Sequence, residues 1–334
     1  MKLVTFERIG GGAQRLGTVL DDTGRILDLA RAASLLGRAE TVFASMLELI
    51  RAGEEGLAES RNVLAQAEDP ALATAILAPG EARLLAPLPR PEQIRDFLCF
   101  ETHLRQARLQ RLKLQAARAP DPDKALAGML EAGMAKPAEV WYRQPVYYKG
   151  NRFAVVGPDG EVEWPGYSQF IDYELEFAAV IGRPIKNADR DSARAAIFGF
   201  MIFNDFSARD TQAEEMTGQL GPAKSKDFDT ANAFGPWLVT ADEVGDPYRL
   251  RMEARVNGEL WCSENTETMY HSFEDVIVHV SNSETLYPGE VLGSGTIGNG
   301  SAFETGRRLQ IGDEVELSVT GLGRLRNRIV RAAG

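Results

Sequence analysis

The chain has 334 residues, enough for one large core plus a small one, and its 44% hydrophobic and 25% charged content is ordinary for a soluble globular protein. A formal net charge of -11 argues against nucleic acid and anionic membrane surfaces as partners. No apolar run is long enough to span a bilayer, and the first residues carry no signal-peptide pattern. Two cysteines, Cys99 and Cys262, are too few for a thiolate zinc site and read as free thiols of a cytoplasmic protein.

Residues 1 to 84 read as a small β-rich domain. Leu3–Phe6, Leu16–Leu20 and Ile26–Leu29 are short strands punctuated by glycine and aspartate turns. A helix is predicted from about residue 40 to 66, where Phe43, Met46, Leu49 and Ile50 recur at helical spacing. The proline-rich run Leu84–Pro91 reads as a linker, and residues 85–334 follow as the larger domain. Beyond the linker, Asp96 and His103 stand at the start of a predicted helix. That helix carries Arg105, Arg108, Arg111 and Lys113, either a solvated face or a means of drawing an anion toward a cleft. Residues 115 to 136 are rich in Ala, Asp, Pro and Lys and read as a mobile connection.

The stretch from Tyr173 to Gly182 is apolar and β-branched and predicts a buried strand. Glu174 and Glu176 fall on one face of it, about 6.6 Å apart, and Asp172 would extend the same row. Carboxylates in a core strand need a cation, and a set of oxygens alone suits Mg²⁺, Ca²⁺ or Mn²⁺. A half-exposed strand with both glutamates in solvent fits the same pattern. Phe198–Asp205 is another apolar strand, and from Asp205 onward a helix is predicted with Asp205, Arg209 and Gln212 on one face. Lys226 lies in a Gly/Pro-bounded loop ending near Thr230. Val256–Glu259 is a hairpin turn with Asn257-Gly258 at its tip, and Ser272 caps a following helix. His271 and His279 have no third ligand at metal-like spacing and read as structural. The Gly-rich turn near Thr296 lacks a phosphate loop's GK[ST] ending, and strands close the chain.

From about residue 85 to the C-terminus these motifs, in this order, resemble the fumarylacetoacetate hydrolase superfamily. The matching runs are Tyr173-Glu174-Leu175-Glu176, Asn204-Asp205-Phe206-Ser207-Ala208-Arg209-Asp210, Lys226-Asp227-Phe228-Asp229-Thr230, Gly295-Thr296 and Gly321 to Asn327. Residues 1–84 resemble the small N-terminal domain of its two-domain members. The resemblance implies a mainly β fold with some α: a mixed β-roll catalytic domain behind the small domain, usually as a homodimer. It implies a divalent cation held by Asp96, Glu174, Glu176 and Asp205, with Lys226 and Thr230 beside them. It implies His103 as general base, oriented by Glu304 or by its rival Glu101, with Lys226 also catalytic. Arg209, Gln212 and Thr296 match positions that hold substrate oxygens, and Arg111 is adjacent to the position of a lid arginine. Leu98 and Met216 replace two substrate tyrosines, which argues against fumarylacetoacetate itself as the substrate.

The implied reaction is hydrolysis of a carbon–carbon bond in a 1,3-diketone or acylpyruvate-type acid, as in aromatic catabolism. The same cation-enolate chemistry serves the superfamily's 2-oxo-acid decarboxylases, isomerases and dehydratases, which need no attacking water. A cation-binding protein without catalysis is the reading of a different class.

Overall fold

The strand Ile197–Asp205 is buried at all nine positions, and its neighbour Leu175–Ile181 at all seven. Strands covered on both faces read as continuous apolar runs, as these do. They pair antiparallel and sit in the middle of a large sheet. The computed structural model describes residues 1–332. Its main sheet runs, in spatial order, through Ile76–Leu77, Ile26–Asp28, Arg15–Val19, Lys2–Arg8, Asn232–Thr240, Ile197–Asp205, Leu175–Ile181, Glu290–Gly293, Gln93–Phe97 and Tyr147–Gly150. A second sheet holds Glu259–Asn265, Arg251–Val256, Glu314–Val319, Gly323–Arg331 and Glu161–Trp164.

Alternation decides which residues face which layer. Phe177, Ala179, Ile181, Phe200 and Ile202 pack into a core that also takes Met252, Leu317 and Leu325 from the second sheet. Ala178, Val180, Met201, Phe203 and Ile94 face the other way, against Leu49, Ile50 and Leu57 of the helix Met46–Leu64. The N-terminal strands join the same sheet, because Lys2 and Leu3 pair with Val239 and Leu238. Residues 1–84 and the rest of the chain therefore share one sheet and one apolar cluster.

The predicted helix near residues 40–66 is a 3₁₀ turn, Thr41–Phe43, followed by Met46–Leu64, capped by Ser45 and kinked at Gly53, whose φ is +56°. The strand predicted from Tyr173 begins at Leu175, and a separate short strand before it, Ile171–Asp172, pairs with Ser207–Ala208. Between them Glu174 makes a lone bridge with Ser301. The stretch 115–136 is a correction. It contains the helix Pro122–Glu131, capped by Asp121 with proline at its first position, a start signal outweighed by the stretch's loop-like composition. Asp205 is a second correction: it ends a strand, and the helix begins only at Arg209. Both cysteines are free and buried, and His271 Nε2 lies 2.6 Å from the Trp141 carbonyl.

Candidate active site

Three rows of the sheet that carry apolar residues toward the N-terminal helices end in acids. Ile94 is followed two residues on by Asp96, Phe203 by Asp205, and Glu176 precedes Ala178 and Val180. Period-two alternation puts each carboxylate on the same face as the apolar residue two positions from it. One oxygen from each of Asp96, Glu176 and Asp205 lies within 4.8 Å of the others, and all three residues are buried. The solvated-face reading of the glutamates fails here, since Glu174 and Glu176 are 4% and 0% exposed. Gly293 makes room between the strands: a Cβ there would stand 2.5 Å from Asp96 Oδ1 and 2.9 Å from the Phe203 ring.

The surroundings of each acid set its charge. Glu176 accepts from the Gly295 amide at 3.0 Å and the Thr296 hydroxyl at 3.3 Å. Gly295 holds φ +74°, and a Cβ there would meet the Phe97 carbonyl at 2.2 Å, so glycine is required for this amide to reach the acid. Burial, then the charges of Asp96 and Asp205, keep Glu176 well above the usual carboxylate range. Burial and then Asp205 do the same to Asp96. Asp205 is pushed up to about 6 by burial, against the opposing charge of Lys226. It accepts from the Tyr148 hydroxyl at 2.7 Å and pairs with Lys226.

Glu174 stands beside this cluster and behaves differently. Arg209 Nη2 donates to it at 2.8 Å, Ser207 at 3.3 Å, and Lys226 pairs with it. Burial would raise its pKa, but Arg209, Lys226 and His103 outweigh burial and hold it below the usual range. The same pairings raise Lys226 and Arg209 despite burial.

Asp96 Oδ1 and Asp205 Oδ1 are buried with no hydrogen-bond donor among the described residues. Crowded like charges with orphaned oxygens and an all-oxygen donor set fit a hard divalent cation. Lys226 reaches Glu174 and Asp205 but leaves those two oxygens unmet.

His103 lies in the first turn of the helix Glu101–Ala116 and is 5% exposed. Its Nδ1 is 2.9 Å from Glu304 Oε2, and its Nε2 is 3.9 Å from Glu174 Oε1. Burial pushes the imidazole down; the charge of Glu304 and its hydrogen bond, with Glu174 adding, push it up by more. Between the two candidate partners of His103, the geometry brings Glu304. Glu101 pairs with Arg105 and accepts from the Tyr142 hydroxyl at 2.6 Å.

Arg209 Nη1 donates to Gln212 Oε1 at 3.0 Å, so these two are brought together beside Glu174. The Thr230 hydroxyl accepts from the Glu163 amide at 2.9 Å, tying its loop to the strand Glu161–Trp164. Arg111 has no ion pair among the described residues; enclosure and the charges of Arg209 and Arg108 push its guanidinium down. Sequence reasoning missed Tyr148, whose register opposite Asp96 no local pattern announces. It also gave Asp172 no role, although a third acid in one strand row was a signal.

The family model for the fumarylacetoacetate (FAA) hydrolase C-terminal domain matches residues 93–330. The oxaloacetate tautomerase YisK of Bacillus subtilis is 30% identical over 317 residues, 94% of this chain and 95% of that protein. The mitochondrial oxaloacetate tautomerase FAHD2A of Homo sapiens is 32% identical over 333 residues, covering 99% and 92%. Among solved structures, the fumarylacetoacetate hydrolase from psychrophilic Exiguobacterium antarcticum superposes with a TM-score of 0.72 at 26% identity, covering 99% of both chains.

Proposed function

The chain belongs to the fumarylacetoacetate hydrolase family, and we propose that within it the protein is a divalent-cation-dependent tautomerase of a short 2-oxo dicarboxylic acid such as oxaloacetate. The observation that carries this reading is one buried imidazole, His103, braced by Glu304 and facing Glu174, which Lys226 joins to Asp205 of the cluster of Asp96, Glu176 and Asp205. The full-length likeness to proteins named oxaloacetate tautomerase supports the substrate class. This moves the reading from the carbon–carbon hydrolysis expected of the sequence to its isomerase alternative.

Asp96, Glu176 and Asp205 would hold the cation, with Glu174 as a fourth carboxylate and Lys226 and Thr230 alongside. A divalent cation held there would supply Lewis-acid polarisation to the substrate's oxygens. His103 Nε2 removes a proton from C3 of the keto acid, and a proton reaches the C2 oxygen to complete the enol; the reverse direction returns both. Lys226 and Arg209 present fixed positive charge to the oxygen that gains negative charge, an effect typically worth about 2.7–4 kcal/mol per donor. Gln212 and Thr296 orient substrate oxygens, and Arg111, with no acid of its own, takes the distal carboxylate.

The test follows enol loss from oxaloacetate by ultraviolet absorbance with Mg²⁺ or Mn²⁺ and then with chelator. A cation-dependent rate well above solvent supports the proposal; no acceleration with either ion rejects it. The second reading is hydrolysis, favoured by a His–Glu pair able to deprotonate water. Product analysis with acylpyruvates separates the two, because only hydrolysis yields two carbon fragments. Homodimer formation and a cytoplasmic location stay part of the proposal, checked by light scattering and cell fractionation. Among the described residues no helix is long and apolar enough to cross a membrane.

A further inference from the structure

We infer that Asp172 is a positioning residue that locks the cation-side arginine to the element carrying the imidazole's partner. Its carboxylate is 0% exposed and accepts from Arg209 and from the backbone of Ala302 and Phe303. Arg209 Nε donates to Oδ2 at 2.8 Å, while the same guanidinium reaches Glu174 through Nη2 at 2.8 Å and Gln212 through Nη1 at 3.0 Å. The backbone amides of Ala302 and Phe303 donate to Oδ1 and Oδ2 at 2.9 and 3.2 Å. The next residue is Glu304, which stands 2.9 Å from His103 Nδ1. Glu304 is itself fixed, accepting from the Ser301 amide at 3.1 Å and the Asn299 amide at 3.0 Å.

One carboxylate thus sets two things at once: the plane of the guanidinium that faces Glu174, and the place of the short turn Ala302–Thr305 that aims Glu304 at His103. The lone bridge between Glu174 and Ser301 closes the same loop through the backbone. An amide at this position cannot accept from all three donors. Whichever way an asparagine turns, its NH₂ faces either the Ala302 amide or both Arg209 Nε and the Phe303 amide, donor against donor. Asp172 touches neither the acid cluster nor the imidazole, so its effect passes through Arg209 and Glu304.

This inference rests on the proposed role of His103 and Glu304, and its test includes a readout that needs no turnover. In Asp172→Asn, kcat for oxaloacetate tautomerisation should fall about 10- to 100-fold, the range for removing a group that orients a site residue. Mn²⁺ affinity, measured by calorimetry, should stay within about twofold, because Asp172 is no ligand. A crystal structure of the metal-free variant should have the His103–Glu304 separation lengthened and the Arg209 fork rotated. That structure decides the matter even if the wild type turns over no 2-oxo acid. Unchanged kcat, or a fallen kcat with both positions unmoved, overturns the inference.

If Asp172→Asn fails to fold, Ala302→Pro replaces it. Ala302 is the first residue of its turn, where proline is well tolerated, and Ser301 before it is extended at φ -134° and ψ 153°, as proline requires. The substitution removes one amide from Asp172 and no charge. A kcat lowered about tenfold with Mn²⁺ affinity kept supports the lock; full activity overturns it.

Discussion

His103 Nδ1 lies 2.9 Å from Glu304 Oε2, which leaves Nε2 as the ring nitrogen facing the acids, 3.9 Å from Glu174. A buried imidazole with one nitrogen held by a carboxylate and the other turned toward Glu174 is arranged to move protons. His103→Asn should cut turnover by 10²-fold or more, the usual worth of a positioned general base. Mn²⁺ binding by calorimetry should persist. A variant that keeps its rate would remove His103 from the mechanism.

The same pairing sets a pH dependence. His103 is raised above its ordinary value of about 6.5, so the neutral base form is gained only as pH climbs past that value. The acid limb of kcat/KM should therefore have its midpoint above 6.5. Burial alone pushes the imidazole down, so Glu304→Gln should shift the limb to lower pH. A rate profile of the two proteins checks both the sign and the displacement.

Chelation should make stability pH-dependent. Asp96 and Glu176 have pKa values raised on folding, so without a cation the folded chain binds protons that the unfolded chain has released. Stability then falls as pH rises above the ordinary carboxylate range, and Asp205 adds to the fall up to about 6. Glu174, held low by its cations, contributes with the opposite sign and matters only in strong acid. Calorimetric Tm of chelated protein should drop from about pH 5 to 8. Mn²⁺ at a hundredfold excess over its Kd should restore about 2.7 kcal/mol.

Gly293→Ala tests the packing beneath the site. The added Cβ would stand 2.5 Å from Asp96 Oδ1 and 2.9 Å from the Phe203 ring, so one of them must move. Cation affinity should fall tenfold or more with circular dichroism unchanged.

The division near residue 84 can be probed by deletion. Lys2 and Leu3 pair with Val239 and Leu238, and Leu49 and Ile50 cover Ala178, Val180 and Met201. Residues 85–334 alone would expose that apolar face and an unpaired strand edge. They should be recovered aggregated or with a lowered Tm.

Much of the site was legible along the chain because its chemistry is carried by short local motifs. Glu174 and Glu176 stand out as charges in an apolar run, and Asp205 follows another such run. The helical reading of Asp205 failed because the capping look of Asn204-Asp205 matches a helix start equally well. What kept Asp205 in the strand is its pairing with Asn232 across the sheet. The resemblance offered Glu304 and its rival Glu101 as partner of His103, and only the fold, which sets Glu304 2.9 Å from His103 Nδ1 and pairs Glu101 with Arg105, chooses between them.

The strand from Tyr173, read alone, determined that two glutamates share one face of an apolar run, because period-two alternation and apolar neighbours are local properties; their burial was decided by the fold. Which acids converge was decided by the tertiary structure. Long-range pairing brings Asp96, Glu176 and Asp205 together, while Arg209 and Lys226 draw Glu174 to the side. Asp172 gained its meaning the same way, since its partners at Arg209, Ala302 and Phe303 lie 37, 130 and 131 residues away along the chain. A buried charge announces that it needs partners; only the fold says which ones it has.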